Sequence, residues 1–257
     1  MSDETEIDAS RAPLMDHLIE LRRRLLFSLL ALAILFGITF YFSEWIFGIL
    51  VHPLLKAGQN KLIYTQLFEA FFVQLKVAFF AAVMLGFPVI ANQLWQFVAP
   101  GLYRKEKRAL LPFLFATPIL FGLGACLAYY VAIPGALTFL LAYQGNVGGV
   151  EREALPSVDN YLSFIMQFLM GFGIAFLLPV LLMLVERAGI VTLKQLVRAQ
   201  RYAILGCFAV ALFLAPPDAG SMVMLALPLV ALYELTLVAI WLTNRQRGRA
   251  EPEIEAD

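Results

Sequence analysis

Apolar residues form long uncharged runs along this chain, separated by short polar segments, and the runs set its architecture. Residues 25–43, 77–102, 109–150, 160–185 and 202–217 contain no Asp, Glu, Lys or Arg, and 219–243 contains only Glu234. Roughly 20 uncharged residues at 1.5 Å rise cross a hydrocarbon core of about 30 Å. The third run is too long for one span, and Pro134, Gly135, Gly145, Asn146, Gly148 and Gly149 fill its second half with turn chemistry. It reads as one helix over about 110–133 followed by an exposed loop. The fifth and sixth runs meet at "APPDAG", where two prolines and Asp218 predict a tight hairpin at an interface.

The pattern therefore predicts an all-α integral membrane protein. Its six transmembrane helices cover about 25–45, 77–99, 110–133, 160–185, 202–217 and 220–242, in a single domain over 1–257 with polar tails at 1–12 and 245–257. Barrel strands are excluded by the length and uniformity of the runs. The last two spans read as short: 202–217 is sixteen residues, about 24 Å as a helix. Two further segments are amphipathic. In "APLMDHLIELRRRLL", Leu14, Leu18, Leu21 and Leu25 share one face while Asp16, His17, Glu20, Arg23 and Arg24 occupy others. In "GIVTLKQLVRAQRY", Leu193, Leu196 and Val197 form the apolar stripe, and Thr192 is placed to cap.

Composition agrees, at 61% apolar and 15% charged against roughly half and a quarter in soluble domains. The zero net charge conceals an asymmetry. Fifteen Lys and Arg lie on the terminal segments and on the loops at 104–108 and 186–201, against four (Lys56, Lys61, Lys76 and Arg152) on the other face. This bias predicts that both termini are cytoplasmic. The first twelve residues are acidic and polar, so no cleavable export signal is expected. Cys126 and Cys207 both fall inside runs and read as packing residues.

Little in the sequence suits covalent chemistry. There is no H-E-x-x-H, G-x-S-x-G or P-loop, and His17 and His52 fall on opposite faces. We expect no catalytic residues, no metal and no cofactor, and no nucleic-acid partner. What remains is carboxylates: Glu20 and Glu106 at two cytoplasmic boundaries, and Glu234 within a span. Glu20 can pair with Arg23 or Arg24 at i+3 or i+4, which alone would account for it. Glu106 sits among Arg104, Lys105, Lys107 and Arg108 and can simply balance them. A carboxylate at the centre of a span costs about 2.5–3.5 kcal/mol. Glu234 is therefore either protonated and bonded to a neighbour or in polar contact with a partner helix.

"HLIELRRRLL" at 17–26, "QLWQFVAPGLYRKEKR" at 93–108 and "APPD" at 215–218, in this order and on a six-span plan, resemble the TatC family, the multi-spanning subunit of the twin-arginine protein translocase. "NYLSFIMQFLMGFGIAF" at 160–176 and "MLALPL" at 224–229 extend the likeness. The resemblance implies a receptor for signal peptides bearing consecutive arginines, in the bacterial cytoplasmic (inner) membrane. It also implies TatA- and TatB-type single-span subunits as partners, contact with lipids, self-association, and transport of folded precursors driven by the proton-motive force. Glu20 and Glu106 take the positions that read the arginine pair, with Arg22 and Phe97 beside them; Pro53 in the first outer loop, Pro100 and Asp218 match other positions of consequence. The chemistry is consistent, since a guanidinium is a planar fork of donors and a carboxylate can accept two parallel bonds.

The chain also departs from the family. Where many members carry Phe-Glu-x-Pro in the fourth span, it has Phe176, Leu177, Leu178 and Pro179, and it has Ala215 and Met222 where polar residues are common. Either polar contact with partner subunits then falls to Gln167, Thr236 or Glu234, or the partner differs. A proton-coupled transporter of a small solute, with Glu234 as relay, is the alternative; it would call for paired discontinuous helices and an internal repeat, and no repeat is evident.

Overall fold

The computed structural model describes residues 2–102, 107–152, 154–214 and 219–250, with side chains described for most of these but not for 2–14, 16–17, 98–102 or 107–112 among others. The elements are α1 (Ser2–Tyr41), α2 (Ser43–Lys56), α3 (Glu69–Leu102), α4 (Lys107–Leu127), a π-turn (Ala128–Ala132), α5 (Ile133–Leu141), strands β1 (Gly145–Val147) and β2 (Val150–Arg152), α6 (Val158–Ala175), α7 (Leu178–Arg187), α8 (Leu193–Leu214) and α9 (Ala219–Ala250). Among the described residues, five helical segments are long and apolar enough to cross a membrane: Leu18–Tyr41, Glu69–Phe97, Phe113–Leu141, Val158–Arg187 and Leu225–Arg245. Their unpacked faces are apolar, as at Leu29, Ile34, Leu85, Phe115 and Leu123, which suits lipid.

Several boundaries differ from the sequence reading. Residues 43–56, taken as the end of a span and an outer loop, form α2, whose Leu50 and Leu54 are buried. Pro53 lies inside this helix and is itself buried. The third apolar run does not end at 133. A π-turn, closed by Ile133 N–H donating to Ala128 O, leads directly into α5, with Pro134 in its first turn, where a missing N–H is tolerated. Burial of Ile133, Ala136 and Leu137 holds α5 in place.

The remainder of the expected loop contains an antiparallel ribbon pairing Gly145 with Arg152 and Val147 with Val150. Gly148 and Gly149, at φ 63° and 85°, turn its corner in the left-handed region that a two-residue hairpin requires. The fourth run is two helices broken at 176–177. The amphipathic 193–201 segment and the fifth run form one continuous helix, α8, with no Gly or Pro to divide them at 201–202; its 22 residues span about 33 Å. Thr192 does cap it: Thr192 N donates to Gln195 Oε1 at 2.8 Å, and Gln195 N to Thr192 Oγ1 at 3.4 Å. α8 is not among the five qualifying segments, and 215–217 lie outside the described residues. α9, at 32 residues, runs well past its apolar stretch.

Packing falls into two units, residues 1–47 with 74–118, and 48–73 with 119–257. In the first, Thr39, 2% exposed, bridges α1 and α3 by donating to Ala78 O at 2.7 Å, and Phe36 meets Phe79 edge-on at 6.5 Å. Trp95 Nε1 donates to Thr117 Oγ1 at 2.8 Å, tying α3 to α4. In the second, α4 and α6 cross at glycines. A Cβ on Gly124 would lie 2.5 Å from Phe172 O, and one on Gly173 would lie 2.6 Å from the Phe121 ring. Small residues at such crossings let helices in lipid approach closely. At one end of this unit Leu196, Tyr233, Leu237 and Ile240 make a buried cluster, with Leu178 and Leu182 of α7 packed on it.

Gly124→Ala forces its methyl against a backbone oxygen that cannot rotate away. We expect it to lower the midpoint of thermal unfolding in detergent by about 3–10 °C, the consequence of overpacking by about 1–3 kcal/mol. Gly122→Ala, with nothing within 4 Å of its Cβ, should leave the midpoint unchanged or slightly raised. Equal midpoints for the two variants would contradict the crossing.

Candidate functional site

α1 carries Glu20 and Arg24 one turn apart on the same face. Arg24 donates to Glu20 Oε1 from two nitrogens, Nε at 3.0 Å and Nη2 at shorter range. Its third nitrogen, Nη1, donates across to Gln96 Oε1 of α3 at 2.6 Å, and Gln96 Nε2 donates back to Asn92 Oδ1 at 2.8 Å. A single guanidinium thus ties the carboxylate on α1 to a pair of amides on α3. Beside this relay is an open cavity of about 360 Å³ lined by Glu20, Arg23, Arg24, Phe27, Gln93 and Gln96. Both partners of the ion pair are half-buried, at 20% exposure for Arg24 and 36% for Glu20. The carboxylate is reachable from outside, and its resident partner is better covered.

Other sequence-predicted residues are placed variously. Arg22, two positions from Glu20, is exposed in a shallow apolar groove along α1 with Ile19, Leu26 and Leu30. Phe97 follows Gln96 on α3 and is half-buried; neither residue lines the Glu20 cavity. Pro100 lies in the backbone of α3 but its side chain is not described, and Glu106 and Asp218 lie outside the described residues. Of the three polar candidates within spans, Thr236 is 2% exposed and its hydroxyl donates to Leu232 O at 2.7 Å, so it is directed inward. Gln167 is exposed on α6. Glu234 accepts from Gln200 Nε2 of α8 at 2.5 Å, which supplies the neighbour that the sequence left open. Leu177 sits at the break between α6 and α7 with no side-chain cap. The break is thus formed here with leucine at that position.

Pro53 has a role that a turn former would not. Lacking N–H, it cannot bond the carbonyl four residues back, Ile49; Tyr129 supplies the donor instead, its hydroxyl 2.7 Å from Ile49 O. Tyr161 donates to the next carbonyl, Leu50 O, at 2.9 Å. The proline thus anchors α2 by exposing an acceptor.

Glu69 is the residue the sequence reading missed. It opens α3, is 6% exposed, and gathers four donors: Thr65 N at 2.5 Å, Thr65 Oγ1 at 2.9 Å, Gln66 N at 3.0 Å and, from the start of α6, Asp159 N at 3.0 Å. Nearby, Val158 N donates to Ile63 O at 3.0 Å and Ile63 N to Pro156 O at 3.3 Å. These bonds join 59–69 to the base of α6 as a polar cap. An acidic residue in the first turn of a helix was the available signal.

Residues 16–228 match the family model described as Sec-independent protein translocase protein (TatC). A protein of that name from Magnetococcus marinus is 45% identical over 248 residues, covering 96% of this chain and 90% of the relative. Those from Aquifex aeolicus and Escherichia coli K12 are 39% and 36% identical, covering 91% and 87% of this chain and 97% and 86% of their own lengths. A solved structure titled as the crystal structure of the twin arginine translocase receptor TatC superposes with a TM-score of 0.78 at 38% identity, over 89% of this chain and 99% of that one.

Glu69→Gln replaces one accepting oxygen with an amino group facing backbone donors. At least one buried N–H loses its partner, at a cost of about 1–3 kcal/mol. Limited proteolysis of the purified chain should then cut within 57–68 several-fold faster than in the wild type. An unchanged rate would show that the carboxylate does not hold the cap.

Proposed function

Because the chain belongs to the TatC family of Sec-independent protein translocases, we propose that it is the receptor and core subunit of a twin-arginine translocase. It lies in the bacterial inner membrane as a six-span protein with both termini cytoplasmic, the arrangement favoured by fifteen basic residues against four. It binds the signal peptides of folded precursors and, with TatA- and TatB-type single-span subunits, supports export driven by the proton-motive force without ATP hydrolysis. The relatives and the solved structure reported above are translocase components, so the solute-transporter reading is set aside.

Glu20 and Glu106 each take one arginine of the pair. The observation that carries this reading is the Glu20 geometry: at the rim of an open cavity, its carboxylate already accepts two donors of one guanidinium. A lysine ammonium is a point charge on a flexible stem and cannot reproduce that fork. The cations flanking Glu106 hold its loop at the anionic leaflet and favour the ionised carboxylate. Arg22 and Phe97 flank the site on the two helices that form it, and Pro100 and Asp218 shape the receptor loop and the hairpin. Gln167, exposed within a span, and Glu234, in its groove with Gln200 and Trp241, are the polar positions for partner helices.

In membrane vesicles, binding of a labelled twin-arginine signal peptide should weaken about tenfold or more on Glu20→Ala or on Glu106→Ala, the loss of one charge-assisted pair. A twin-lysine peptide should lose at least as much on the native chain. If both single variants insert normally and still bind like wild type, the carboxylate reading is wrong.

A further inference from the structure

One oxygen of the Glu20 carboxylate, Oε1, is already taken, and an arginine fork that engages both oxygens must share or displace what holds it. Arg24 holds it with two nitrogens and uses its third on Gln96, which is itself braced by Asn92. Each of the three nitrogens of that guanidinium therefore donates within the first unit, and the anchor on α3 comes from a residue 72 positions away. An ordinary helical i, i+4 pair needs no such third tie. We propose that Arg24 is a built-in placeholder, an internal guanidinium that an incoming signal-peptide arginine must displace from Glu20. Gln96 sets how firmly the placeholder is held. This inference rests on the reading of Glu20 as a signal-peptide contact.

The consequence is a threshold. A competitor that must leave before a ligand can take Oε1 weakens every ligand that uses this oxygen by the same factor, because its own equilibrium does not depend on which ligand follows. Arginine-over-lysine preference then comes from the fork geometry of Glu20 itself. The absolute affinity, and so the exclusion of weakly basic segments and stray cations at the membrane surface, comes from Arg24. Displaced Arg24 keeps its bond to Gln96 and turns from Glu20 toward α3. The pair at Glu20 is thus exchanged for an equivalent one, and no carboxylate is left buried without a partner.

Full-length chain in membrane vesicles, titrated with labelled twin-arginine and twin-lysine signal peptides, tests this. Arg24→Ala should tighten both by a similar factor of about three to ten, the release of one partly exposed ion pair, leaving their ratio unchanged. Gln96→Leu, which adds no charge, should tighten both by a smaller factor. Arg23→Ala removes the same charge from the same cavity while leaving the Arg24–Glu20 pair in place, and should tighten binding less than Arg24→Ala. Unchanged or weaker binding in Arg24→Ala, or an equal gain in Arg23→Ala, would overturn the placeholder while leaving the receptor role intact. A wild-type chain that binds neither peptide, or that binds as well after Glu20→Ala, would remove the receptor reading and this inference with it.

Discussion

A backbone carbonyl in hydrocarbon must find its donor inside the protein, since neither lipid nor water will supply one. Among the described residues, hydroxyls meet backbone carbonyls of another element at Thr39 to Ala78, Tyr129 to Ile49, Tyr161 to Leu50 and Tyr233 to Leu196. At Ile49 the hydroxyl replaces the helical donor that Pro53 lacks; at the other three it adds a second bond to a carbonyl whose residue four positions on carries an N–H. Such bonds contribute about 0.6–2 kcal/mol each in membranes, modest singly, but each also fixes the rotation of one helix on another. Proline at 53 makes the point most clearly, because its missing N–H creates the acceptor that Tyr129 uses. Glycines 124 and 173 then bring α4 and α6 close enough for dispersion to act across the crossing.

The polar ends obey the same accounting in charged form. Glu69 collects four donors and closes one cap; Glu20 accepts two bonds from the Arg24 guanidinium and opens onto a cavity. The carboxylate of the cap is satisfied mostly by backbone groups that have nowhere to go, and that of the rim by a long side chain that can rotate. On the proposed exchange, Glu20 trades one guanidinium for another and Arg24 keeps Gln96, so that neither half-buried charge loses every partner.

The apolar runs made the helical membrane architecture legible, and the i, i+4 spacing made the Glu20–Arg24 pair legible. Other features could not be read. The acceptors of Tyr129 and Tyr161 are main-chain atoms, which leave no trace in side-chain pattern. Pro134 reads as a helix end, yet it falls in the first turn after a π-turn, where a proline is harmless. α2 was hidden because a short helix of buried Leu50 and Leu54 resembles the tail of a span. The Gly148–Gly149 corner gave a hairpin signal, but the surrounding turn residues obscured it. Leu177 shows the limit in the other direction: the chain breaks there between α6 and α7 with no side-chain cap, and Pro179 in the first turn of α7 is the one mark of it in the sequence.

The central claim is that Glu20 and Glu106 each grip one arginine of a consecutive pair. Double-mutant cycles between the carboxylates and the two peptide positions, each arginine changed to lysine and each glutamate to glutamine, measure it directly. The account predicts a coupling of at least about 1.5 kcal/mol between Glu20 and one arginine, and a like coupling between Glu106 and the other, with the cross terms near zero. Additive effects in all four cycles would show that no such pairing exists.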